Sequence, residues 1–184
     1  MKAQCSKCII IISAFFLLFF PNRVQSQKTT LETLGDIVLF TLPAATLGTT
    51  FVVGDKKGSW QFTKGFLLNQ AVTYGLKVAI DKRRPQHNGG QAFPSGHTST
   101  TFQSASFIHR RYGFKNSIPA YALASFTAIT RLEKNKHDGW DVLGGVVVGI
   151  GSTYLFTTPY QKEHLELSFS GDSNYYSLGF IYKF

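Results

Sequence analysis

The stretch PSGHTSTTFQSASFIHRR, residues 94–111, decides how this chain folds. Pro94-Ser95-Gly96 reads as the opening of a helix, and the residues after it run to Arg111 without another Gly or Pro. Thr98, Ser99, Thr100, Thr101, Gln103 and Ser104 make that helix too polar to face lipid. It is therefore expected at the centre of a bundle, with protein on all sides. Outward from it lie two further islands, KVAIDKRRP at 77–85 and RLEKNKHDGWD at 131–141. The first ends a helix expected at about Trp60 to Ile80. The second joins a helix at about Ile118 to Leu132 to one at about Trp140 to Phe156. Another helix is expected near Leu31 to Val53, kinked by Pro43, with Gly54 to Ser59 as the turn after it. If consecutive helices pack antiparallel, all three islands gather at one mouth of the bundle.

The side chains so gathered are chemically specific. Lys77, Arg84 and Arg131 are fixed cations suited to the non-bridging oxygens of a phosphate, and Arg presents planar, bidentate donors. His97 and His137 supply imidazoles that exchange protons near neutral pH, so one can attack phosphorus while the other protonates the leaving oxygen. A carboxylate such as Asp141 can fix the tautomer of the attacking ring. Ser95-Gly96 at a helix start aims backbone N–H groups and the positive dipole end at an anion. This set suits the holding and cleavage of a phosphate monoester. No carboxylate cluster or His/Cys spacing for Mg²⁺ or Zn²⁺ accompanies it, so the expected enzyme uses no metal and no cofactor.

At these residues the chain resembles the type 2 phosphatidic acid phosphatase superfamily, which includes lipid phosphate phosphatases, bacterial acid phosphatases and vanadium haloperoxidases. Its signature is Lys-x6-Arg-Pro, Pro-Ser-Gly-His and Ser-Arg-x5-His-x3-Asp. Lys77, Arg84-Pro85, Pro94 to His97, Arg131, His137 and Asp141 keep every spacing, and Thr130 stands where the family usually has Ser. The resemblance implies that His137 is the nucleophile and forms a phospho-histidine, with Asp141 bonded to its ring. It implies that His97 protonates the leaving group, and that Lys77, Arg84, Ser95, the Gly96 amide and Arg131 hold the phosphoryl oxygens. Among the other candidates, His87, His109 and His164 are expected at the surface or in loops. Lys82 and Arg83 read as solvated charge, Asp138 as a helix cap, and Trp60 and Trp140 as interfacial anchors or core.

The ends of the 184-residue chain have their own character. Lys2 and Lys7, the apolar run Ile9 to Phe20 and Val24-Gln25-Ser26 read as a signal peptide over 1–26, cleaved before Gln27. Residues 27–158 are then one helical phosphatase domain and 159–184 a β-hairpin tail. In the tail, Leu165, Leu167 and Phe169 alternate with polar residues, Gly171 to Asn174 turn, and Tyr176 to Phe184 alternate again. The two cysteines, Cys5 and Cys8, would leave with the signal, so no thiol remains for redox or metal chemistry. The net charge of +9 falls to +6 with that segment, because Lys2, Lys7 and Arg23 lie in it and no acid does.

Such a balance favours phosphorylated or anionic-lipid partners, and export argues against nucleic acid. A mean hydropathy of −0.01 is low for five spans, whereas Ile37–Val53 and Val142–Phe156 are apolar enough to cross a membrane. Lys56, Lys57, Arg110, Arg111 and Lys115 at the end opposite the islands fit a positive-inside bias. The expected partners are a phosphorylated lipid substrate and a membrane. The expected place is the Gram-negative envelope, at the inner membrane with the site facing the periplasm. Lipid A dephosphorylation is the leading expectation. The alternatives are an undecaprenyl-diphosphate or phosphatidylglycerophosphate phosphatase and a soluble periplasmic acid phosphatase.

Overall fold

The computed structural model describes residues 27–85, 89–160, 165–172 and 175–182. The expected signal segment 1–26, His87 and His164 lie outside the described residues. The chain divides into two units, Met1–Thr30 and Leu31–Phe184, and of the first only the opening turn of a helix is described.

Five helices succeed one another: α1 (Gln27–Val53), α2 (Lys56–Ile80), α3 (Gly96–Tyr112), α4 (Phe114–Glu133) and α5 (Gly139–Phe156). The polar helix α3 is indeed the central one, packing most extensively against α5 and α4 and also against α2. Thr98, Ser99, Thr101, Gln103, Ser104 and Ser106 are fully buried in it. Several of these hydroxyls bond back to their own helix, Thr101 to the His97 carbonyl at 2.9 Å and Ser104 to that of Thr100 at 3.1 Å. Others cross to neighbours: Ser99 meets Thr73 of α2 at 3.0 Å, and Ser106 donates to Thr153 of α5 at 2.7 Å. Buried polar groups are tolerable only when partnered, and these bonds supply partners for the hydroxyls, whereas the Gln103 amide has none among the described residues. The apolar core lies on the other flank, where Val38 and Leu42 of α1 pack with Ala105, Ala120 and Ala124.

Small residues let α5 approach α3. A Cβ on Gly145 would stand 2.7 Å from the Ser95 carbonyl oxygen, and one on Gly149 would collide with that of Ser99. Gly113 alone separates α3 from α4, at φ 94, where an L side chain is strained. At the end opposite the sequence islands, Asp55 caps α2 by accepting from Gly58 N at 2.8 Å. It also receives both Arg111 Nε and Nη2 at 2.7 Å and the Tyr112 hydroxyl at 2.9 Å. Burial pushes the Asp55 carboxyl up, but the Arg111, Gly58 and Tyr112 hydrogen bonds outweigh it and leave it below the usual carboxylate value.

Several expectations are corrected. The class all-α with a short hairpin describes the chain only in part. All-α holds for the bundle at 27–156, and beyond it lies a separate antiparallel pair, β1 (Leu165–Asp172) with β2 (Tyr175–Tyr182). Neither strand packs broadly against any of the described helices. The expected turn at Gly171 to Asn174 is also too long: Gly171 and Asp172 remain in register with Tyr176 and Tyr175. Helix α1 carries the expected Pro43 inside it and continues on both sides. The turn at 54–59 shrinks to Gly54-Asp55, since the Asp55 cap starts α2 at once. Helix α4 begins four residues before Ile118, directly after Gly113. Trp60 and Trp140 are 63% and 73% exposed and so are not core. Arg111 is buried and paired, so it drops out of the surface charge expected at that end.

Candidate active site

The three islands meet. A cavity of about 370 Å³ is lined by Lys77, Arg84, Gly96, His97, Arg131 and His137, together with Asp36 and Lys136. Each island residue arrives from a helix end. Lys77 sits in the last turn of α2, and Asp81, at φ 42, stops that helix with its N–H on the Lys77 carbonyl. Arg84 comes next in the connecting loop, where its N–H bonds the Gly89 carbonyl at 3.2 Å. Ser95 is the N-cap residue of α3, and its N–H reaches the Asp141 carbonyl at 2.8 Å, which ties α3 to α5 at the site. Its hydroxyl makes no cap bond and instead accepts from Thr98 Oγ1 at 3.0 Å. Arg131 lies in the last turn of α4, and its carbonyl accepts the Lys136 N–H across a turn made by Asn135 at φ 50. That turn presents His137.

His137 and Asp141 stand one helical turn apart. His137 Nδ1 lies 3.5 Å from Asp141 Oδ2, and the pair is 6% and 0% exposed. At 3.5 Å the contact is an ion-pair distance rather than a formed hydrogen bond, and Nδ1 has no other partner among the described residues. Such pairs tighten when substrate is bound. Burial, with Lys77 and Arg84 nearby, lowers the His137 pKa to about 4, against the opposing pull of Asp141. The ring is therefore neutral at pH 7. A proton on Nδ1, facing Asp141, leaves the Nε2 lone pair free for attack.

Asp141 has partners that the sequence reading missed. Lys82 Nζ donates to Asp141 Oδ1 at 2.8 Å and to Asp138 Oδ2 at 2.5 Å. Asp138 and Asp141 also form a reciprocal capping box at the start of α5, each carboxylate accepting the other's N–H at 3.0 Å. The expectation that Asp138 is a helix cap agrees with this, whereas Lys82 is not merely solvated charge. Burial opposes the Lys82 charge, but the two carboxylates prevail and raise its pKa. The acceptors were readable as acids near the islands; their sharing of one lysine was not.

A second missed residue comes from α1. Asp36 Oδ1 accepts from His97 Nε2 at 2.8 Å and from Arg131 Nη2 at 2.9 Å. One turn earlier, the Glu32 carbonyl accepts from the same Arg131 nitrogen at 3.2 Å, and the Glu32 carboxylate pairs with Lys136. The i, i+4 spacing of Glu32 and Asp36 at the start of an otherwise apolar helix was the available signal. Burial, and then Arg131, lower the His97 pKa against the pull of Asp36. Arg84 Nε and Arg131 Nε are buried guanidinium N–H groups with no partner among the described residues. Unpaired buried donors of a charged group are costly, and an anion in the cavity is the natural acceptor. Among the described residues, no three His, Cys, Asp or Glu side chains converge as metal ligands would. His109 contacts Tyr121 and Phe114, away from the cavity.

Two described helices, α1 over Thr30–Val53 and α5 over Gly139–Phe156, are long and apolar enough to cross a membrane. At 18 residues α5 is about 27 Å long, close to a hydrocarbon thickness. Phe40, Val52, Leu67, Val147 and Leu155 all stand more than 60% exposed on α1, α2 and α5.

Known proteins resemble this chain in sequence and in fold. The lipid A 4'-phosphatase of Helicobacter pylori (strain J99) is 32% identical over 170 residues, spanning 83% of this chain and 85% of that protein. The crystal structure of Aquifex aeolicus LpxE superposes with a TM-score of 0.63 at 16% identity, over 73% of this chain and 88% of the other. The transmembrane PAP2-type phosphatidylglycerolphosphate phosphatase of Bacillus subtilis superposes at 0.57 with 21% identity, over 83% and 84%. At these identities the two structures speak to the fold. A family model matches residues 8–164, which include every side chain of the cavity, and by that match the chain belongs to the PAP2 superfamily.

Proposed function

We propose that this chain is a lipid phosphate phosphatase of the bacterial envelope that removes a phosphate monoester from lipid A. That it is a phosphatase rests on its family and on the kinship to a lipid A phosphatase over most of both chains. The observation that carries the chemistry is the cavity itself, where Lys77, Arg84 and Arg131 surround a space flanked by His97 and His137. The buried Nε–H groups of Arg84 and Arg131 lack acceptors among the described residues, and a bound anion would supply them.

In the proposed reaction the three cations and the Gly96 N–H at the start of α3 hold the phosphoryl oxygens. His137 Nε2 attacks phosphorus as the lipid P–O bond breaks, and the leaving oxygen takes a proton from His97. Asp141, held by Lys82 and the Asp138 N–H, stabilises the charge that develops on the His137 ring. Water then attacks the phospho-histidine, returning a proton to His97 and releasing inorganic phosphate. A membrane setting is supported by the apolar α1 and α5, and a periplasmic mouth by the basic residues Lys56, Lys57 and Lys115 at the other end.

The test is mass spectrometry of lipid A from a strain lacking the chain, against the same strain carrying the wild type or His137→Ala. The deletion and the variant should both retain one more phosphate per lipid A, seen as a species heavier by one phosphoryl group. Identical lipid A in all three, with a change in phosphatidylglycerophosphate or undecaprenyl diphosphate instead, would move the substrate to those lipids.

A further inference from the structure

Asp36 belongs to none of the sequence islands and lies on a helix that otherwise reads as an apolar span. Two observations nevertheless tie it to the reaction. Its single oxygen Oδ1 receives both His97 and Arg131. The preceding residue, Gly35, makes that meeting possible: a Cβ there would stand 2.6 Å from both Arg131 Nη2 and Thr130 Oγ1. Residues 35 and 36 thus bring α1 against the end of α4 and deliver a carboxylate between two groups of the cavity.

Resting on the phosphatase reading above, we propose that Asp36 is a positioning residue, which orients the His97 ring through Nε2, favours its protonated form and couples it to the phosphate-holding Arg131. With Nε2 bonded to Asp36, Nδ1 is the nitrogen left to serve the substrate. In the first step the Nδ1–H bond breaks and an O–H bond forms on the departing lipid oxygen as its bond to phosphorus breaks. In the second, water gives its proton to Nδ1 as its oxygen attacks phosphorus. Asp36 itself gains and loses nothing. The groups around His97 explain why it is needed. Lys77 from α2 and Arg131 from α4 are both cations that disfavour an imidazolium, and Asp36 from α1 is the carboxylate that opposes them. Asp36 is 46% exposed on its side chain, so solvent tempers but does not remove this effect.

The experiment compares wild type, Asp36→Asn and Asp36→Glu as full chains in detergent micelles, on lipid A phosphate and on p-nitrophenyl phosphate. The aryl leaving group departs without a proton, so it bypasses His97. Asp36→Asn should lower kcat on lipid A phosphate by about 10-fold or more, within the range of general-acid effects. It should change the aryl reaction by less than about 3-fold, again on the scale of what acid catalysis contributes. Its alkaline limb should move down by about one pH unit, the effect of losing an adjacent opposite charge. Asp36→Glu should recover part of each. Equal losses on both substrates with an unmoved limb would mean a merely structural residue and overturn the proposal, as would no loss at all. Nuclear magnetic resonance of ¹⁵N-histidine-labelled protein separates this from failure of the phosphatase reading. If wild type cleaves neither substrate, that reading falls. A His97 titration unchanged between wild type and Asp36→Asn overturns the pairing, whatever the activity.

Discussion

Replacing Gly149 by Ala should separate α3 from α5, and the cost can be worked from the geometry. The new Cβ would stand 2.9 Å from Gln103 N and closer still to the Ser99 carbonyl oxygen. Those are backbone atoms, and the approach is at least about 0.5–1 Å inside the 3.5–4.0 Å optimum for carbon contacts. The helices must part by about that amount, which for an overpacked core costs about 1–3 kcal/mol. Gly151, two residues on in the same helix, has nothing within 4 Å of its own added Cβ. Both changes gain the same helix preference of roughly 0.5–1 kcal/mol. That term cancels between them, leaving the overpacking cost as the difference. At about 2–4 °C per kcal/mol for a chain of this size, Gly149→Ala should melt about 2–12 °C below Gly151→Ala. Thermal unfolding in one detergent, monitored by circular dichroism, reads the gap. Because Ser99 lies one turn from Ser95, which α5 holds through the Asp141 carbonyl, Gly149→Ala should also lower kcat while Gly151→Ala does not. Equal melting temperatures, or a more stable Gly149→Ala, would refute the close packing on which this reasoning depends.

Three further outcomes are expected. His137→Ala should abolish phosphate release, and Asp141→Asn should leave a folded enzyme slower by about 10²–10⁴-fold, the scale of losing a ring-orienting carboxylate. Rapid-quench labelling should trap phosphate on His137 of the parent, and full activity in folded His137→Ala would remove it as nucleophile. The pH profile of kcat/KM should peak on the acid side of neutrality. On the proposed mechanism His137 must be neutral, so activity is lost as pH falls through its pKa of about 4, and His97 must be protonated, so activity is lost as pH rises through a value below 6.5. A plateau extending above pH 8 would contradict that assignment. Phosphate release should survive EDTA and be inhibited competitively by vanadate if, as proposed, the three cations lining the cavity neutralise the phosphate. Activity lost to chelation and restored only by a divalent metal would overturn it.

What was legible in the sequence was what residue type and spacing encode together. The islands at 77–85, 94–97 and 131–141 meet because each sits at a helix end, and helix ends are set by Gly, Pro and cap residues. The central place of α3 was readable from its hydroxyls, which no lipid could partner. Asp36 and Lys82 were missed for a common reason: each acts across more than 50 residues of sequence, Asp36 on His97 and Lys82 on Asp138 and Asp141, and no local pattern encodes such a meeting. The turns erred differently. Asp55 and Gly113 stop and start helices within one or two residues, so the loops expected from Gly and Lys content were too long. The β ribbon's alternation was visible, but nothing in it said whether the bundle would receive it.

The Arg111–Asp55 pair has a consequence for the order in which the chain is made. Asp55 closes the corner between α1 and α2, but its carboxylate is only 2% exposed once Arg111 has arrived from the end of α3. Until residue 111 has been synthesised, packing that corner would strand a buried anion, a cost of several kcal/mol. The corner between the first two helices therefore gains little by closing early and is best left open until the third is in place. A ribosome-bound chain should close that corner only after Arg111 has emerged from the ribosome, and fragments ending before Arg111 should be the ones that quality-control proteases find.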